Sequence, residues 1–279
     1  MSDIEENVEI WSGKDRRDEN FPVGSRLIAR KHRDPIHRFY TFARNADDIA
    51  DSADLSPQEK LARLAVMEDV LLGRRASGSP SASALRTSLA ETGVTSKHAT
   101  DLLLAFRQDA VKSRYATIDE LYTYCHYSAV PVGRYVLDLH GEHHDCYSPS
   151  DALCLSLQIL NHMQDCAQDL AALDRCYLPQ ALLDHFGATV DDLRLPAETP
   201  ALRRVFITLL DRINRMNIAA SELPEIVRDR RLRLEVGVIY GMSKRLAGRL
   251  MHGDPIRHRV KLTKSDAVFS ALASVSYLV

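Results

Sequence analysis

Residues 44–54, RNADDIADSAD, set Asp47, Asp48 and Asp51 close together in a segment that otherwise reads as a buried helix. At about 100° per residue, Asp47 and Asp51 fall one turn apart on one face, in line with Arg44 and Tyr40. Phe39, Phe42, Ala46 and Ile49 fall largely to the other side. Like charges at i and i+4 repel by roughly a few tenths of a kcal/mol on an open helix, and by more where water is scarce. A solvated face would intersperse lysines, and this stretch has none.

The same device recurs in LQILNHMQDCAQDLAALDR (157–175), where Gln158, Asn161, Asp165 and Asp169 make a second polar line flanked by Leu157, Leu160 and Met163. A largely apolar helix with one continuous stripe of amide and carboxylate turns that stripe inward. Two such helices face to face gather four carboxylates around one cavity, and these remain ionised together only with cations between them. An all-oxygen donor set favours Mg2+, with Mn2+ as the alternative, and Mg2+ ordinarily also takes waters and substrate phosphates. The chemistry expected is a diphosphate held through divalent cations, with apolar walls behind it for a hydrocarbon. Either stripe alone could be a solvated acidic face. The two together, each beside bulky apolar residues, favour the site.

The elements that position these stripes are helical. Asp34-Pro35 reads as a helix start, and SPQE (56–59) and TIDE (117–120) as capping boxes. Helical spacing continues through 82–92, 96–111, 118–139, 149–173, 199–222, 229–251 and 264–278, and only CYLP (176–179) reads as extended. The expectation is one all-α domain over 1–279, with 1–18 a flexible or weakly packed N-terminal segment and the long helices 118–139 and 149–173 central. Pro131 is expected to kink the first of these by freeing the Tyr127 carbonyl, either as plain packing or to hold a water. The apolar end, DAVFSALASVSYLV (266–279), reads as core packing, with peripheral membrane contact as the alternative.

Bulk properties narrow the class. A formal net charge of −2 argues against nucleic acid as a partner, and RDRRLR (228–233) reads as a solvated helix start. Five scattered cysteines with no Cys-x-x-Cys, a polar N-terminus and no long apolar run point to a cytoplasmic protein. HGEHHDC (140–146) places His140 and His144 four apart, but Gly141 interrupts the helix, so a polar helix end is favoured over zinc. His162 reads as a hydrogen-bonded core or cavity-edge histidine.

FYTFARNADDIAD (39–51) followed by LQILNHMQDCAQDLAALDRCYLP (157–179) resembles the squalene/phytoene synthase family, the head-to-head isoprenoid synthases. The resemblance runs from ENFPVGS (19–25) to RVKLTK (259–264), and with YCHYSAVPVGRYVL (124–137) it is strongest toward the bacterial hydroxysqualene synthase branch. It implies an isoprenoid-synthase fold, a helical bundle around a central apolar cavity, with Asp47, Asp51, Asp165 and Asp169 as Mg2+ ligands and Asp48 assisting. By the same carry-over, Arg44 and Tyr40 contact the diphosphate, Gln158 and Asn161 precede the second motif, and Arg175 and Tyr177 belong to its RxYLP tail. Phe21, Tyr124 and Tyr240 match cavity aromatics, and Arg259 and Lys261 match positions facing diphosphate. Arg16, Arg17, Asp18 and Glu19 stand where many members have a histidine. The implied reaction converts presqualene diphosphate to hydroxysqualene by loss of diphosphate and capture of water, with no NADPH. The alternatives are condensation of two prenyl diphosphates to presqualene diphosphate, squalene or phytoene, and a non-catalytic assembly factor. Oligomeric state is not fixed by the sequence.

Overall fold

The computed structural model describes residues 7–10 and 27–278, so Phe21 and residues 16–19 lie outside the described residues. Among the described residues there is no strand, only two isolated bridges, Asn7 with Gly78 and Arg114 with Cys176. The helices are α1 (Arg30–Asp51), α2 (Pro57–Leu71), α3 (Pro80–Thr92), α4 (Lys97–Asp109), α5 (Ile118–Ser128) and α6 (Val130–His140). They continue with α7 (Tyr147–Leu173), α8 (Gln180–Phe186), α9 (Pro200–Ala220), α10 (Leu223–Ile226), α11 (Arg230–His252) and α12 (Lys264–Ser274). The fold is the all-α bundle expected. The 27-residue α7 lies centrally, packed on α5, α6, α9 and α11.

Two apolar cores flank the polar stripes. Phe39, Phe42, Ala46 and Ile49 of α1 enter one core with α2, α3 and α4, whereas Leu160, Met163, Cys166 and Leu170 of α7 enter another with α5 and α9. Each helix commits its bulky face to its own core, and that leaves the acidic faces of the two helices to the space between.

Four local expectations change. Helix α1 begins at Arg30 rather than at Asp34-Pro35, with Pro35 inside it. A proline this near the N-terminus removes a single intrahelical bond, and the added turn buries His32. The segment expected to run unbroken over 118–139 is two helices, divided at Ala129 (φ −125°), with Pro131 in the first turn of α6 instead of kinking a helix interior. Ser56 and Glu59 form the expected capping box, but at 117–120 Thr117 caps the Glu120 amide at 3.2 Å while Glu120 turns to the Ala116 amide.

The fourth change is at the C-terminus. Ser270 and Ser274 are buried and Val268, Phe269, Leu272 and Val275 face outward, the reverse of core packing by the bulky residues. The reason is a close approach of α12 to α11. A Cβ on Gly237 or Gly241 would lie 2.9 Å from the Cβ of Ser274 or Ser270 respectively, so only small residues fit the seam. Within 1–18, residues 7–10 pack against the bundle, with Val8 fully buried and its amide 2.8 Å from the Gly78 carbonyl.

Candidate active site

The first aspartate helix carries its own cation. Arg44 Nη1 lies 3.1 Å from Asp47, and its Nε donates to Asp48 at 3.0 Å. Asp48 has a side chain only 1% exposed, so it anchors Arg44, whereas a third of the Asp47 side chain is open. Helix α7 ends at Asp174, whose left-handed φ of 49° is the only positive φ on a non-glycine among the described residues. That turn returns the Arg175 amide to the Asp169 carbonyl at 3.3 Å and aims the guanidinium at α1.

There Arg175 Nη1 meets Asp51 at 2.8 Å and donates to the Tyr177 hydroxyl at 3.2 Å, while Nη2 donates to the Asp109 carbonyl at 3.0 Å. The buried Asp109 carboxylate accepts from Tyr124 at 2.7 Å and from Tyr177 at 3.1 Å. Tyr177 stacks on His162 with centroids 3.6 Å apart, and Gln158 lies 3.3 Å from the His162 ring. On the far side Arg259 clasps Asp165 with two hydrogen bonds, one of 2.7 Å. An open cleft of about 640 Å³ reaches Asp51, Asp109 and Arg175 from outside, between Lys60, Lys112 and Arg194.

The structure thus brings Arg44, Asp47, Asp48, Asp51, Tyr124, Gln158, Asp165, Asp169, Arg175 and Tyr177 into one polar cluster. Tyr40 and Asn161 are half-buried on their stripes. Tyr240 packs on the core that holds α1, with the Lys244 ammonium 5.4 Å over its ring. Lys261 is exposed and borders a second cleft, lined with Arg245, Arg249, His258 and the Arg259 that clasps Asp165. The residue that sequence reasoning missed is Asp109. Its signal was faint: one acid at the end of the apolar α4, with Phe106 and Ala105 beside it.

Charge is in excess here. Asp47, Asp48, Asp51, Asp109, Asp165 and Asp169 share the cluster with Arg44, Arg175, Arg259 and Lys60, six acids to four bases. Burial, then Asp51, raises the Asp47 carboxyl well above the usual range, although Arg44 opposes this. Burial, then Asp165 and Asp51, pushes Asp169 up to about 7. Burial raises Asp109 to about 6 against the pull of Arg175. Burial disfavours charge on Arg175 too, but Asp109, Tyr177 and Asp51 outweigh it and hold the group protonated. Burial and Arg175 lower His162 to about 3, so its ring is neutral. Carboxylate oxygens crowded until some take up protons are a donor set that fits a hard divalent cation.

A pH dependence follows. Asp47 and Asp169 bind protons more tightly folded than unfolded, so folding takes up protons and stability falls as pH rises. His32, lowered to about 4, and His162 act oppositely, and because an unfolded histidine is still half protonated at its ordinary value of 6.5, their contribution fades only about one pH unit above it. Between about pH 6.5 and 8 the two acids together outweigh what remains of the histidine contribution. One proton over that interval is worth ~1–2 kcal/mol, so the melting temperature in chelator should fall by roughly 2–4 °C. Millimolar Mg2+ should remove the fall. A curve that is flat or rising in chelator would contradict the crowding.

Comparison with known proteins agrees with this architecture. The squalene/phytoene synthase family profile matches residues 14–266. The hydroxysqualene synthase of Rhodopseudomonas palustris is 46% identical over 96% of this chain and 91% of its own length. That of Sinorhizobium fredii is 40% identical over 93% and 89%. Among solved structures, squalene synthase HpnC from Alicyclobacillus acidocaldarius superposes with a TM-score of 0.72 at 31% identity, covering 81% of this chain and 85% of that one. A dehydrosqualene synthase reaches 0.81 at 20% identity over 94% and 92%, a likeness of fold. The chain is an enzyme of the squalene/phytoene synthase family.

Proposed function

We propose that the enzyme converts presqualene diphosphate and water to hydroxysqualene and diphosphate, with Mg2+ as its cation. The observation that carries this reading is the convergence of Asp47 and Asp51 with Asp165 and Asp169, bordered by three arginines. The relatives described as hydroxysqualene synthases, at 40% and 46% identity, direct it to this product. The four aspartates would hold Mg2+, which when bound neutralises a diphosphate and makes it a better leaving group.

The C–O bond to diphosphate breaks and its electron pair leaves with the diphosphate. Arg44 and Arg259 stand at the two acidic edges, where they can turn from carboxylate to diphosphate oxygens as that charge develops. The cyclopropylcarbinyl cation rearranges, a water oxygen forms the new C–O bond, and the proton departs to solvent or diphosphate. Tyr177 and the neutral His162 stack on each other near the acids with Tyr124 beside them, so this aromatic group brings no positive charge against a cation. Protonated His162 would repel that cation, and its lowered pKa prevents this.

The test supplies purified enzyme with presqualene diphosphate or with farnesyl diphosphate and reads products by mass spectrometry. The expected product is the C30 alcohol from presqualene diphosphate, without NADPH, abolished by chelator and restored by Mg2+. Squalene or phytoene from farnesyl diphosphate, with no alcohol from presqualene diphosphate, would overturn the reading in favour of a condensing enzyme.

A further inference from the structure

We propose that His32, His140 and Asp229 form a second metal site, separate from the aspartate cluster, that binds one borderline transition cation of the Zn2+ class. His32 lies in the first turn of α1, His140 is the last residue of α6, and Asp229 caps the start of α11. Each offers one ligand atom, and the three atoms lie within 4.8 Å of one another. The two rings are tilted against each other with centroids 4.1 Å apart. Around a tetrahedral zinc with bonds of about 2.1 Å, neighbouring donors are roughly 3.4 Å apart, so modest side-chain rotation completes the set.

The second observation is an orphan. His140 Nδ1 lies 2.8 Å from the Val136 carbonyl, to which it can only donate, so the lone pair of the neutral ring is on Nε2. That Nε2 is buried and has no hydrogen-bond partner. A ring fixed by Nδ1–H to a backbone carbonyl, with a bare Nε2, is the arrangement that metal-bound histidines adopt. His32 is buried, and burial followed by the nearby His140 keeps its ring neutral.

The support around the carboxylate is also in place. Asp229 Oδ1 accepts the Arg231 and Leu232 amides at 2.8 and 3.0 Å, which orients the group. The Glu142 carboxylate, itself buried, accepts the Arg228 and Asp229 amides at 2.8 and 2.7 Å and fixes the backbone of the turn. Two imidazole nitrogens and one carboxylate oxygen select Zn2+, Co2+ or Fe2+ over Mg2+. His32 is the buried member of the three, and His140 and Asp229 are half-buried. His144, the partner that the sequence spacing offered to His140, instead lies against Tyr147.

The experiment uses the full chain, stripped with chelator and held in excess Mg2+ so that hard sites are occupied, then titrated with Co2+ and followed by visible absorption. One equivalent should give d–d bands that Zn2+ abolishes. His32→Gln and His140→Gln should each weaken Co2+ binding at least ~100-fold. Asp165→Asn should leave it unchanged. In the unaltered protein, Zn2+ should shift the ring NMR signals of two of the eleven histidines, a readout that survives if either variant fails to fold. Absence of stoichiometric Co2+ bands, undiminished affinity in both histidine variants, or unmoved histidine signals would overturn the proposal.

Discussion

Arg175→Met should lose stability and turnover together, with a stability cost of ~3–5 kcal/mol by urea unfolding. The guanidinium side chain is 7% exposed and its Nε lies 3.7 Å from a carboxylate that is 3% exposed. Its removal leaves Asp109 buried without a counter-charge and frees Asp51 from the RxYLP tail. The loss should be smaller at acid pH. Asp109 already holds its proton up to about 6 with Arg175 present, and will hold it higher without it. Arg175→Lys keeps the charge but cannot reach Asp51, Tyr177 and the Asp109 carbonyl from one planar fork, so it should recover only part of each loss. Wild-type stability in Arg175→Met at neutral pH would show that Asp109 does not depend on this partner.

Asp169→Asn is expected to move activity and stability in opposite directions. On the proposed function turnover should drop on the order of 10³-fold, because Asp169 would then no longer help hold the cation that stabilises developing diphosphate charge. The metal-free protein should become more stable by ~1 kcal/mol, since an uncharged amide escapes the burial and the repulsion from Asp165 and Asp51 that together raise Asp169 to about 7. Steady-state kinetics in saturating Mg2+ and melting in chelator report the two halves separately. A solvated, incidental acid would change neither. Opposed signs are the mark of a carboxylate kept for function at the expense of folding.

Much of this arrangement was legible because periodicity is a local property. The spacing of Asp47 to Asp51 and of Asp165 to Asp169 fixed two polar stripes, and the bulky residues beside them fixed which faces enter a core. Residues whose roles arise by contact were harder to read. Asp109 is an isolated acid until Arg175, Tyr124 and Tyr177 converge on it from other elements. The division at Ala129 starts a new helix with Pro131 in its first turn, a break that the periodicity of apolar residues over 118–139 does not record. Helix α12 misled for a further reason: its contact face was chosen by what fits against Gly237 and Gly241, and bulky apolar residues do not. His140 pairs with His32, more than a hundred positions away, rather than with His144 four positions on.

The hydrogen bond from Arg175 to Asp51 joins positions 124 apart. A chain still under synthesis that has emerged only through α6 owns Asp47, Asp48 and Asp51 but neither Asp165, Asp169 nor Arg175. Such a half-made protein lacks any complete grip on a doubly charged ion, and the core around α1 still awaits Leu153, Leu223, Leu232 and Val236. Contacts between distant stretches form late, so on the proposed function tight cation uptake would double as a certificate of finished tertiary assembly. A carbocation-generating centre that exists only once the last partner has arrived would also be one that cannot ionise its substrate prematurely, in the open, where bulk water would quench it.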